Sequence, residues 1–288
     1  KDYGPEMELI NRAFLEVMLE GDYHGRIFSF PIPTYNVSED FPWDSQVGDL
    51  LLKLTAKYGV PYFQNFINSD LKPEDVRSMC CRLQMDIREL KKRTGGLFGA
   101  GDLTGSIGVV TLNLPKLGYL AQDEEDFLDL VAEYSSLAKD SLEFKRKWVS
   151  DNMDRGMYPF SARYLKNGLN NHFSTIGLIG GHEACLNLLG KGIETPAGIR
   201  LMQRTLEHLR ELTSAFQEET GHLYNLEATP AEGTSYRLAK IDKNLYQDIQ
   251  TSGDDVPYYN NSTALPVHAT QDVFAALEHQ NLLQHKYT

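Results

Sequence analysis

Phe173-Ser174-Thr175-Ile176-Gly177-Leu178-Ile179 is a short apolar run that reads as a β-strand, and its flanks decide the fold. Upstream, Phe127, Val131, Tyr134, Leu137 and Leu142 mark a long helix through about residue 147. Before that helix, Ile107 to Leu112 forms another apolar strand. Downstream, residues 195–220 carry every helix boundary signal. Thr195 is the N-cap, Pro196 takes the first turn, and Gly221 stops the helix, with Ile199, Met202, Leu206, Leu209 and Phe216 along one face. Leu223 to Leu226 then reads as a third strand. Strands alternating with helices argue for an α/β fold with mainly parallel pairing.

Further out the pattern continues. Met7, Ile10, Phe14, Val17 and Met18 recur at a helix period before Gly21, and Ile27-Phe28-Ser29-Phe30 reads as a strand stopped by Pro31 and Pro33. Leu50, Leu51, Leu54 and Tyr58 suit a helix ended by Gly59, and Tyr62 to Ile67 is a buried-strand candidate. Residues 71–82 form a polar connection, 83–92 are locally ambiguous, and the tail carries a helix near 270–283. No repeat and no low-complexity linker divides the chain, so residues 1–288 read as a single domain.

Composition narrows the function classes. Of 288 residues, 41% are hydrophobic and 24% charged, which excludes a disordered chain. No apolar run approaches the ~20 residues that span a bilayer, so no membrane partner is expected. Lys and Arg number 28 against 40 Asp and Glu, a net charge of −12. Such a chain gains little from counterion release, which argues against a nucleic-acid polymer as partner. A small phosphate ligand needs only local donors. Three cysteines, two of them adjacent, exclude a disulfide framework and point to a reducing, cytoplasmic setting. There is no signal-peptide pattern, and the chain starts at Lys1, which reads as an internal piece of a longer protein.

Three stretches can carry chemistry. Cys80-Cys81-Arg82 sits in a polar connection, where functional loops concentrate, and an arginine beside a thiol favours thiolate or orients an anion. Against this stands a plain pair of core thiols. The glycine-rich run Gly95 to Gly105 matches neither GxGxxG with a following helix nor a Walker A sequence, so a flexible loop competes evenly. The third is Asn225 through Arg237. If a helix starts near Thr234, its free N–H groups face the preceding loop, and hydroxyls at Thr229, Thr234 and Ser235 add donors. The competing reading is an ordinary helix cap. The eight histidines are scattered without metal-ligand spacing, so no metal site is expected; His182-Glu183 reads as a helix start and Cys185 as core.

Together these segments resemble the anaerobic, class III ribonucleotide reductases, which are glycyl-radical enzymes. The resemblance is carried by Ser78-Met79-Cys80-Cys81-Arg82-Leu83, Gly96-Leu97-Phe98-Gly99, Gly108 to Pro115, His172 to Gly177, and Asn225 to Arg237. It implies a ten-stranded α/β barrel of two half-barrels with a cysteine-bearing finger loop. Cys80, Cys81 and Arg82 would form the finger tip, with Cys81 carrying a thiyl radical because it precedes the arginine. That radical abstracts the ribose 3′ hydrogen of a ribonucleoside triphosphate, and the 2′ hydroxyl leaves as water. Thr229, Ala231, Gly233, Thr234 and Ser235 would form the phosphate-binding turn.

Many members have glycine where Cys80 stands, and those that use formate carry Asn-Asn where this chain has Gly105-Ser106. Both departures favour a redoxin-type dithiol over formate. The resemblance further implies a radical-SAM activating enzyme as partner and a homodimer. The family's glycyl radical and structural zinc would lie outside these residues, so the chain itself binds no cofactor and is inactive alone. Two readings compete with the reductase. One is a glycyl-radical enzyme of the pyruvate formate-lyase kind, which has no need of a phosphate turn. The other is a non-catalytic nucleotide-binding module.

Overall fold

The computed structural model describes residues 3–28, 30–67, 105–165, 168–229 and 231–287, together with the backbone of 76–78 and 84–86. Two compact units emerge, Lys1–Val76 and Arg77–Thr288.

The first unit holds α1 (Gly4–Glu20), β1 (Thr34–Val37), α2 (Gln46–Tyr58) and β2 (Tyr62–Asn65). The Ser45 hydroxyl accepts from Gly48 N to start α2, and Gly59, at φ 69°, ends it in the left-handed conformation that glycine adopts without penalty. Leu15 and Met18 of α1 meet Val47, Leu51 and Leu54 of α2 in a buried cluster. β1 and β2 pair in parallel from Thr34↔Tyr62 to Val37↔Asn65.

Two expectations are corrected here. The strand is Thr34–Val37, past both prolines, and the described residues Ile27, Phe28 and Phe30 are not strand. Proline brings no N–H, so the ladder starts where the Pro33 carbonyl accepts from Tyr62 N (3.1 Å). Tyr62–Asn65 is a strand as expected, but it is not a buried one, for only Gln64 is withdrawn from solvent.

The second unit is built around a three-stranded parallel sheet. After a short paired couple, β3 (Val76–Ser78) and β4 (Gln84–Asp86), come β5 (Gly105–Asn113), α3 (Leu114–Leu120), α4 (Glu124–Asp154) and β6 (His172–Ile179). Then follow α5 (Gly181–Leu189), α6 (Pro196–Thr220), β7 (Leu223–Glu227), α7 (Glu232–Leu245) and α8 (Val273–Gln284). The strand order is β5-β6-β7, all parallel, with an irregularity between Ser106 and Gly108. Val110 and Leu112, Ile176 and Leu178, and Tyr224 and Leu226 join the helices in one core. By strand alternation Thr111, Thr175, Gly177, Asn225 and Glu227 belong to the opposite face.

Helix α6 reads as expected at its ends, whereas α4 runs on to Asp154, beyond the expected end near residue 147. Thr195 accepts from Gly198 N, Asp123 accepts from Asp126 N, and Gly221 closes α6. The buried face of α4 differs. Phe127, Val131, Ser135, Ala138, Leu142 and Arg146 point inward, whereas Leu137 is 57% exposed and Tyr134 is exposed as well. Small Ser135 and Ala138 let α4 lie close. Arg146 adds a tertiary anchor, donating to the carbonyls of Leu169 (2.7 Å) and His172 (2.8 Å) and to Ser174 Oγ (3.0 Å). Leu142→Ala is expected to cost about 2–5 kcal/mol in urea unfolding, and Leu137→Ala no more than about 0.5 kcal/mol. Equal costs would mean that α4 packs through both stripes.

Candidate functional site

A parallel sheet gathers its carboxyl ends on one edge, where open α/β sheets hold their ligands. Asn113, Ile179 and Glu227 end the three strands there. Beyond β7 the chain turns back. A Cβ on Gly177 would lie 2.4 Å from the Thr229 methyl carbon and 2.7 Å from its hydroxyl, so this glycine makes room for Thr229 against the sheet. The buried Thr229 Oγ1 donates to the Leu178 carbonyl (3.3 Å).

Helix α7 begins after Ala231, a non-glycine residue held at φ 45°, ψ 35° with no side-chain cap. Ser235 N donates to Ala231 O (2.7 Å) as the helix begins. The N–H groups of residues 232–234 precede that bond and have no intrahelical acceptor. Gly233 is open on its side-chain face, with no atom of the described residues within 4 Å of a Cβ. Thr234 is half-buried. Ser235 is buried, and its hydroxyl donates to Tyr259 O (2.5 Å) while accepting from Tyr259 N (3.2 Å). The hydroxyls of Thr229 and Ser235, expected as ligand donors, thus spend their protons on backbone carbonyls. The turn offers backbone N–H groups instead.

A residue without an assigned role in the sequence joins them. Glu227 ends β7, is 3% exposed, and among the described residues neither of its carboxylate oxygens has a hydrogen-bond partner. Burial disfavours its charged form and pushes the carboxyl up to about 7. Its neighbour on the same face, Asn225, accepts from Thr175 Oγ1 (2.8 Å). The available signal was the alternation of Leu223, Asn225 and Glu227 in a strand buried on both faces.

Cys80, Cys81 and Arg82 lie outside the described residues, as does the run from Gly95 to Gly101. Cys185 is core, and burial pushes its thiol up to about 12, which keeps it protonated. Among the described residues no three His, Cys, Asp or Glu gather to hold a metal, and no helix is long and apolar enough to cross a membrane.

These features define an α/β protein whose candidate site lies at the carboxyl edge of a parallel sheet. Residues 1–288 match the family Anaerobic ribonucleoside-triphosphate reductase, and the chain belongs to it. The anaerobic ribonucleoside-triphosphate reductase of Haemophilus influenzae is 29% identical over 188 residues, 58% of this chain and 26% of that protein. That of Enterobacteria phage T4 is 29% identical over 208 residues, 65% and 32%. The chain therefore spans well under half the length of the curated relatives it matches. The anaerobic ribonucleotide reductase from Thermotoga maritima, with MES in its active site, shares the fold over 100% of this chain and 46% of its own (TM-score 0.73, 21% identity). A complex of the Thermotoga maritima protein with dATP and CTP aligns over the same shares (TM-score 0.72, 20% identity). Membership selects the reductases, which are oxidoreductases, over the pyruvate formate-lyase kind.

Glu227 generates a pH test. Its folded carboxyl, near 7, stands above the ordinary 4.5, so the native state holds a proton that the unfolded chain has lost between those values. Stability should be complete below about 4.5 and decline toward 7, by at most about 1.4 kcal/mol per pH unit. Glu227→Gln should remove that slope from melting curves taken between pH 5 and 8. A variant with the wild-type slope would show that Glu227 ionises freely.

Proposed function

We propose that this chain is the catalytic core of an enzyme that reduces ribonucleoside triphosphates to deoxyribonucleoside triphosphates, built as a ten-stranded α/β barrel with a finger loop. Family membership over all 288 residues carries this reading. In it, Cys81 as a thiyl takes the 3′ hydrogen, becoming a thiol. The 2′ hydroxyl departs as water with a proton from Glu227, a carboxyl poised near neutral pH. Two electrons come from a dithiol, oxidised to a disulfide, and Cys81 returns the 3′ hydrogen. Arg82 beside the pair orients the finger tip. A glycyl radical outside these residues, formed by a radical-SAM activating enzyme, supplies the first unpaired electron, and the family's zinc also lies elsewhere. The chain alone should be without turnover, and the assembled enzyme a homodimer.

The triphosphate is placed over Thr229, Ala231, Gly233, Thr234 and Ser235. The uncapped start of α7 supports this, because its N–H groups and dipole favour an anion. The dithiol is favoured over formate because Cys80 adjoins Cys81 and because β5 opens with Gly105-Ser106. There Ser106 Oγ accepts from Gly108 N (3.1 Å) at the strand's irregularity.

Two experiments follow. In the assembled enzyme, Cys81→Ser should abolish exchange of the 3′ hydrogen with solvent, because an O–H bond is far harder to break homolytically. Cys80→Ser should keep exchange and lose turnover with a dithiol. The opposite pattern reverses the two roles, and no effect from either removes the radical reading. Gly233→Val meets no atom of the described residues within 4 Å of its Cβ, so it tests ligand approach. It should raise nucleotide KM at least about tenfold, or ~1.4 kcal/mol. An unchanged KM would leave the turn as a helix cap.

A further inference from the structure

Helix α7 is gripped at two heights by one residue. Tyr259, 1% exposed, brackets Ser235 with its backbone: its carbonyl accepts from Ser235 Oγ (2.5 Å) and its N–H donates back (3.2 Å). Its hydroxyl donates to Asp242 Oδ2 (3.0 Å). Ser235 and Asp242 are seven residues apart, hence on one face of the helix and about 10 Å apart along its axis. The same Asp242 oxygen accepts from Asn113 Nδ2 (2.6 Å), at the end of β5. The segment that carries Tyr259 is itself tied to the strand ends, since Gly180 N donates to Asn260 O (2.8 Å) and Gly181 N to Ser262 O (2.7 Å).

Two anchor points on one face fix the direction of a rigid rod. We propose that Tyr259, through Asp242, is the positioning residue that aims the N-terminus of α7 at the substrate phosphates. This rests on the phosphate reading of residues 229–235 given above. The hydroxyl holds the far anchor and the backbone the near one. Releasing the far anchor lets the helix axis tilt while the first turn stays attached. The N–H groups of residues 232–234, which have no intrahelical acceptor, then lose their common aim, although no residue touching the ligand has changed. Asp242 receives both of its bonds on a single oxygen, so an asparagine with its carbonyl there can accept both.

The test uses inorganic tripolyphosphate titrated calorimetrically into the 288-residue chain. Tyr259→Phe deletes one oxygen and keeps the buried ring. It should weaken tripolyphosphate binding at least fivefold, as should Asp242→Ala, whereas Asp242→Asn should stay within twofold of wild type. In the assembled enzyme Tyr259→Phe should raise nucleotide KM by the same factor and leave kcat within twofold, a split that general loosening of the fold would not give. Wild-type affinity in Tyr259→Phe overturns the inference alone. So does loss of binding in a folded Asp242→Asn equal to that in Asp242→Ala. If Asp242→Ala fails to fold, Tyr259→Phe and Asp242→Asn decide between them. Absence of binding by the wild type overturns the phosphate reading, and this inference with it.

Discussion

Parallel pairing of β5, β6 and β7 is the constraint from which the rest of the second unit follows. Parallel neighbours cannot be joined by tight turns, so each strand must return through helices, and those helices must cover the sheet. The helices α3 and α4, then α5 and α6, do this on the face of Ile176 and Leu178. Parallelism has a second effect. Each strand that leaves the sheet at its carboxyl end starts a helix beside that end, so the N-termini of α3, α5 and α7 gather on one edge. The edge therefore concentrates backbone N–H groups and positive dipole ends, in a protein whose net charge is −12. An acidic chain can in this way present an anion-receptive surface without a basic patch.

The three helix starts are treated differently. At α3 the Asn113 side chain accepts from Lys116 N. At α5 the N–H groups of Gly180 and Gly181 are met by the carbonyls of Asn260 and Ser262. At α7 no side chain caps the helix, and Ala231 sits in a left-handed conformation that costs a residue with a Cβ roughly 1–2 kcal/mol. A backbone cost of this kind persists only where the surroundings impose it. Here Thr229 is pinned over Gly177 on one side and Ser235 is clamped by Tyr259 on the other.

What the sequence made legible was whatever depends on neighbours in the chain. Thr195, Pro196 and Gly221 bound α6 because caps are local, and the β6 strand is a local apolar run. Misreadings arose where partners far apart in sequence decide. Helix α4 carries two stripes, and nothing within it says that Phe127 and Leu142 face the sheet while Leu137 faces water. Proline chemistry moved β1 beyond Pro33, yet only the pairing with Tyr62 shows where its ladder starts. At the candidate site the turn was visible, but the use of its hydroxyls was not. Ser235 is a structural donor because of Tyr259, twenty-four residues away.

Buried carboxylates show how the site's demands are separated from those of the scaffold. Glu183 accepts from Ser252 Oγ (2.5 Å), Asn260 Nδ2 (2.7 Å) and Asn260 N. Asp242 accepts from Asn113 and Tyr259. Both are satisfied, and both brace the segment beneath the strand ends. Glu227 is as deeply buried and has no hydrogen-bond partner among the described residues. Burying a charge without compensation is costly, and the group escapes by holding its proton to higher pH. A hydrogen bond from Asn225 or a nearby hydroxyl would relieve that cost but would also fix the carboxyl in its ionised form. Asn225 turns its Oδ1 to accept from Thr175 Oγ1 (2.8 Å), and none of the described residues donates to Glu227. The scaffold's carboxylates thus meet donors, whereas burial alone raises the carboxyl at the strand's end above the ordinary carboxylate range.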